Sequence, residues 1–220
     1  MKIDITEKIK VVCPQLELAI LMAEVVNSPT SDTFWTEMNE EIRQFSTTFS
    51  IEEINKRPQI LATRKVYKML GKDPNRYRPS AEALCRRIVR GIDIYRVSTL
   101  VDVINLVSIR SGISIGGFDM DKIEGDLIRL TVGSANDEFE AIGRGSLNVE
   151  GLPLYRDNIG GIGTPTSDNE RTKISEKTIR LLLIFNGYNG VEGLENAVSH
   201  ALSLLEKYAD LQNTKLEYIR

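Results

Sequence analysis

The chain has 220 residues, 41% of them hydrophobic and 27% charged, with a formal net charge of −3. This composition belongs to a folded globular chain and excludes collagen-like, low-complexity and disulfide-scaffold classes. At this length folding buries about 70% of the unfolded surface. The two cysteines, Cys13 and Cys85, lack metal-type spacing and are expected as buried thiols of a reducing compartment. The opening MKIDITEKIK is charged throughout, and the longest early apolar run, LAILMA, is too short to span a bilayer. No membrane association is expected, and a cytoplasmic location is.

Residues 9 to 27 read as one or two strands interrupted by Pro14, which cannot donate to a ladder. After the turn cluster NSPTSD, Asp32 is expected to cap a helix running to about Phe45, with Phe34, Met38 and Ile42 every fourth residue and Trp35 as a core anchor. Ser50 and Glu53 have capping-box spacing. Pro58 and Gly71 bracket a second helix. A third spans about Pro79 to Arg90, with Ala81, Leu84, Cys85 and Ile88 on one face and Arg86 and Arg90 on another. Thr99 to Arg110 reads as a buried helix ended by Gly112. Short β-like runs follow: DLIRLTVG, EFEAIG, GLPLYRD and TIRLLLIFNGY, punctuated by Gly and Asn/Asp. A last amphipathic helix is expected from about Gly193 to Leu211. Helices first and strands later point to an α+β (mixed α/β) fold, helices packed on a mixed or largely antiparallel sheet, in a single domain over 1–220.

Charge is unevenly placed. From Lys56 to Arg96 there are twelve Lys/Arg against three Asp/Glu, and the rest of the chain is acidic. Two readings stay open: an anionic partner held by one face, or neutralisation by acidic neighbours in the fold. Arg76, Arg78, Arg86, Arg87 and Arg90 are the candidates for phosphate contacts, because guanidinium forks suit phosphate oxygens. Ordinary enzyme signatures are missing. The one histidine, His200, reads as a surface or packing residue, and no metal cluster or Ser/His or Cys/His arrangement is evident. The segment IGGIG (159–163) lacks the Lys-Ser/Thr of a P-loop. Neither a cofactor nor a metal is expected.

One stretch is more specific. Val101-Asp-Val-Ile-Asn105-Leu-Val107, then Gly112, then Phe118-Asp-Met-Asp-Lys-Ile-Glu-Gly125 resembles the tRNA-interacting and editing domain of the bacterial phenylalanyl-tRNA synthetase beta subunit. Arg129, EFEAIGRG and LPLYRD, ending at Asp157, continue the likeness. It is good over 80–187, extends toward the C-terminus, and is weak across 1–55. Free-standing proteins with this domain are known. In the synthetase the domain is mixed α/β and hydrolyses mischarged tyrosyl-tRNA. The resemblance implies a pocket near the junction of the buried helix and the sheet, with the Asn105 amide turned toward it and a turn at Gly116 and Gly117 letting backbone approach a ligand. The alternative for Asn105 is that it ties the following turn together. For Asp119, capping a short helical turn from Met120 is the preferred reading.

The sequence also departs from that pattern. Gly116 stands where the synthetase motif has a histidine. The editing-site glutamate has no counterpart in the strand 178–184, where Leu183 is the best match. Glu138, Arg144, Asp157 and Ser167 are candidates to replace these groups. Three functions follow as expectations: an RNA-binding module for tRNA or aminoacyl-tRNA, a trans-acting aminoacyl-tRNA deacylase, or a binder of an amino acid or other small molecule.

Overall fold

The computed structural model describes every residue from Met1 to Arg220. In chain order its elements are β1 (Lys2–Ile5), α1 (Glu7–Val12), β2 (Glu17–Glu24), α2 (Asp32–Thr48), α3 (Pro58–Met69), α4 (Ser80–Val89), α5 (Thr99–Ser111) and β3 (Ile115–Asp119). There follow β4 (Leu127–Val132), the short pair β5 (Glu140–Ala141) and β6 (Gly145–Ser146), β7 (Pro153–Arg156), β8 (Gly161–Gly163), β9 (Arg180–Gly187), α6 (Leu194–Tyr208) and β10 (Gln212–Ile219). One four-stranded sheet, ordered β10-β2-β9-β3, is antiparallel throughout. A second, β1-β4-β7-β8, is mixed, with β1 parallel to β4. The expected α+β class is the one observed.

The antiparallel sheet is the middle layer. Because strand side chains alternate between faces, Ala19, Leu21 and Ala23 of β2 and Leu181, Leu183 and Phe185 of β9 point into a core shared with α2, α4, α5 and α6. Leu18, Ile20 and Met22, with Leu182 and Ile184, point the other way, into a second core closed by α1, α3 and the mixed sheet. Burial on both faces explains why TIRLLLIF is apolar at consecutive positions. The two sheets are also joined by a buried polar link: the Tyr155 hydroxyl donates to Asn186 Oδ1 at 2.6 Å, and the Asn186 amide donates to the Ser114 carbonyl at 2.8 Å.

Three expectations are corrected. Residues 7–12 form a helix, not a strand. The helix carries the chain from β1 in the mixed sheet to β2 in the antiparallel one; Thr6, just before it, donates both its amide and its hydroxyl to the Leu130 carbonyl. The cap of α2 is Ser31, whose hydroxyl accepts from the Phe34 amide, one residue ahead of Asp32. The last helix stops at Tyr208. Asp210 takes a positive φ of 46°, the chain reverses, and β10 pairs with β2 as an exposed edge strand that lacks a strongly apolar face. The Ser50–Glu53 pair does form, both Ser50 N and Oγ donating to the Glu53 carboxylate, but it opens a turn leading to a single 3-10 turn at Ile54–Lys56 rather than an α-helix.

Glu82 of α4 is fully buried and sits between two cations. It accepts from Arg64 Nη1 at 2.8 Å and from Arg86 Nε at 2.7 Å. Arg64 also donates to the Pro74 carbonyl and to Asn75 Oδ1, which fixes the 72–79 loop against α3. Removing one member of such a cluster leaves buried charge uncompensated. Arg64→Leu is therefore expected to lower the urea-unfolding free energy by about 3 kcal/mol or more, and Glu82→Gln by a similar amount. A loss under about 1 kcal/mol, the range of an exposed pair, would count against this account.

Candidate functional site: a cavity beside an arginine cleft

α5 presents two faces. Leu100, Val103, Leu106 and Val107 enter the helix-side core. Val101, Ile104, Asn105 and Ser108, spaced i, i+3, i+4 and i+7, line a cavity of about 380 Å3. Ser80 and Leu84 of α4, Ile115 and Gly117 of β3, Ile142 of the β5–β6 hairpin, and Thr164, Ser167, Asp168, Lys173 and Ile174 complete its walls. Asn105 is half-buried there and has no hydrogen-bond partner in the protein. The stabiliser of the helix start is a different residue: Asp102, fully buried, accepts from Thr30 Oγ1, Trp35 Nε1 and the Val97 amide. Burial pushes the Asp102 carboxyl up, against the pull of those donors.

Gly116 and Gly117 are not a turn. They lie within β3, the edge strand of the central sheet, and the alternation of the strand separates them. Gly117 lines the cavity; a Cβ on it would come within 2.5 Å of Ile104 Cδ1 and 3.0 Å of Ile174 Cδ1. Gly116 lies against the Phe118 ring on the other face, where a Cβ would approach to 2.8 Å.

The group that sequence reasoning missed is Asp168, next to the candidate Ser167. Its carboxylate oxygen Oδ2 accepts from the Gly117 amide at 3.0 Å, its only hydrogen-bond partner in the protein. The glycines make room for it: a Cβ on Gly163 would lie 2.8 Å from Asp168 Oδ1. The glycine-rich 159–163 segment is therefore a close-packing strand, β8, rather than a nucleotide loop. Enclosure in this wall pushes the Asp168 carboxyl up to about 7, opposed only by the Gly117 hydrogen bond. No sequence pattern flags an acid held by the amide of a glycine some fifty residues upstream.

A second hollow of about 430 Å3 opens beside the first, sharing Ser80, Leu84 and Asn105 with it. It is lined by Arg78, Arg86, Arg87, Arg90 and Arg144 and by Tyr95. The basic segment thus divides. Arg64 is internal, Arg57 donates to the Ile109 and Arg110 carbonyls, Lys72 donates to the Asn148 and Glu150 carbonyls, and Arg86 Nε is held by Glu82. Arg87 lies 4.4 Å from the Tyr95 ring centroid and donates to the Asp93 carbonyl. Arg78, Arg90 and Arg144 have no protein partner. Arg76 lies outside the cleft, 5.6 Å from the Tyr77 ring centroid.

The remaining candidates lie elsewhere. Glu138 is exposed in a shallow hollow with Phe139 and Ser146. Asp157 pairs with Arg171 at 2.8 Å and accepts from the amides of Glu124, Ile159 and Gly160. Despite burial, these donors hold its carboxyl below the usual range, and it closes a loop. Asp119 accepts from the Asp121 amide, capping the 3-10 turn at Met120–Lys122. His200 is half-buried on α6, and burial with nearby Arg110 lowers its basicity.

The B3/4 domain model matches residues 62–215. The chain belongs to the B3/4 domain family. This bears out the expected kinship with the phenylalanyl-tRNA synthetase beta subunit. A crystal structure of an N-terminal fragment of that beta-subunit from Pyrococcus horikoshii is similar over 98% of this chain and 50% of its own, at 15% identity and a TM-score of 0.48. The B3/4 chain thus spans half the length of that fragment. Comparison with curated proteins returned no match. No helix is long and apolar enough to cross a membrane.

The raised pKa of the Asp168 carboxyl has a measurable consequence. Its folded carboxyl keeps a proton to higher pH than the unfolded one, near 3.8, so its contribution is fully favourable at low pH and is lost as pH rises toward about 7. Asp168→Asn removes that loss. The variant is expected to gain stability relative to wild type across this window, by at most about 4 kcal/mol at roughly 1.4 kcal/mol per unit. Urea unfolding of both proteins at stepped pH measures it; a pH-independent difference would contradict the assignment.

Proposed function

We propose that this B3/4 protein is an RNA-binding module that takes the single-stranded end of a tRNA along the arginine cleft and places the group attached to that end in the adjoining cavity. The observation that carries the reading is the shared wall. Ser80, Leu84 and Asn105 line both hollows, so a phosphate chain on the arginines and a terminal group beside Asn105 are one molecule apart. Unpaired guanidiniums at Arg78, Arg90 and Arg144 suit phosphate oxygens. Exposed Tyr95, beside Arg87, offers a ring on which a base can stack.

Fluorescence anisotropy with tRNA over a range of salt tests the reading. The logarithm of the affinity is expected to fall linearly with the logarithm of salt concentration. Each of Arg78→Gln, Arg90→Gln and Arg144→Gln should weaken binding and reduce the slope by about 0.7 to 0.9. Arg76→Gln, off the cleft, should leave both unchanged. Absence of binding at low salt removes the proposal.

A second reading, hydrolysis of the aminoacyl ester, is favoured by Asn105 and Asp168, two of the polar side chains on the cavity wall, which can orient the ester while a ribose hydroxyl assists the attacking water. Incubation with a panel of mischarged tRNAs is expected to release amino acid faster than buffer, and Asn105→Ala to slow that release at least tenfold. Release no faster than buffer leaves the binding module alone.

A further inference from the structure

We infer that Asp168 is the specificity-determining residue of the cavity: it pairs with the primary ammonium of an aliphatic α-amino ester or amide. The inference rests on reading the cavity as the acceptor of a terminal group, and it names the chemistry of that group.

Three features carry it. The carboxyl is the only acid on the cavity wall, and the protein gives it a single donor, the Gly117 amide. Oδ1 packs beside Gly116 and Gly163 without a hydrogen-bond partner, and the Asp168 side chain lines a volume large enough for an amino-acid moiety. Leu84, Val101, Ile104 and Ile174 supply aliphatic wall alongside the hydroxyls of Ser80, Ser108, Thr164 and Ser167, with no aromatic ring to stack against and no second acid. Apolar ligand surface therefore finds apolar protein surface, and the one anionic point is where a cation belongs.

The third feature sets the state of the carboxyl end. A free carboxylate would need a cation of its own. The only one on the wall, Lys173, is engaged by Glu170. Asn105 instead offers an unpartnered amide that can donate to an ester or amide carbonyl. A free amino acid is thus disfavoured by Asp168 and not compensated, while its ester or amide satisfies both polar groups. N-acylation removes the ammonium and leaves Asp168 unpaired in an apolar wall. Asp168 is half protonated near neutrality, and pairing with an ammonium pulls it back to the ionised form.

The test titrates the full-length protein with L-leucinamide, N-acetyl-L-leucinamide, L-leucine and L-tyrosinamide, followed by NMR chemical shifts. A molecule as small as leucinamide binds with a dissociation constant on the order of millimolar. Leucinamide is expected to bind at least tenfold tighter than the other three and to shift the Asp168 carboxyl resonance toward its ionised value. Asp168→Asn, which keeps an acceptor for the Gly117 amide and relieves a buried charge, should stay folded and lose at least tenfold in leucinamide affinity. Equal binding of leucinamide by Asp168→Asn and wild type, equal binding of the N-acetyl compound, or no saturable binding of leucinamide overturns the inference, whatever the tRNA titration gives. Failure of tRNA to bind while leucinamide binds through Asp168 removes the RNA reading and leaves the ligand chemistry standing.

Discussion

Everything in this structure follows from a sheet that has no solvent face in its middle. β2 and β9 run antiparallel and are covered on one side by helices and on the other by a second sheet. Each residue between Leu181 and Phe185 is therefore assigned to one of two cores by strand alternation alone. A slip of one residue would exchange the two sets and bring Asn186 out of reach of Tyr155, leaving buried polar atoms unsatisfied. This double constraint fixes where β3 must lie, at the free edge of the sheet beside β9. It also fixes the height at which α5 crosses over it.

The cavity is a by-product of that crossing. A helix packed on a strand normally fills the gap with side chains from both. Here β3 contributes Gly117, which has none, so Ile104 and Ile174 close directly over the strand and the cavity lies beside that contact. The same glycine exposes an edge amide, and Asp168 reaches across from the segment after β8 to accept it. A half-buried carboxyl with one hydrogen bond is held in place by the packing around it. Perturbed carboxyls of this kind concentrate at functional sites. Family membership supplies the fold; the chemistry lies in the particular groups set into the wall.

The charge distribution has the same logic. Glu82 draws in Arg64 and Arg86, and the carbonyls at the ends of α5 and around 148–150 take Arg57 and Lys72. These cations hold the frame together. Of the cations left on the surface, Arg78, Arg87, Arg90 and Arg144 gather on one cleft, while Lys56, Lys65, Lys68 and Arg76 lie outside it. Arg144 comes from a hairpin more than fifty residues beyond the others. An acidic protein can in this way present a basic groove.

The sequence by itself determined the elements with strong local signals. Pro58 begins α3 and Gly112, in the left-handed region at φ 77°, ends α5. The 3.6-residue period placed α4, α5 and α6, and the apolar run placed β9. The motif around Asn105 and Phe118 carried the kinship. Tertiary structure alone decided the rest. α1 carries β-branched residues that locally favour a strand, but the chain there passes from β1 in one sheet to β2 in the other and does so as a helix. β10 has little apolar periodicity, because an edge strand turned to solvent needs little. Asp168 and the division of the arginines were invisible for one physical reason: burial, and the company a charge keeps, are set by residues far away in the chain. A local pattern can fix a residue's backbone, but the environment of its side chain comes from what the fold brings against it.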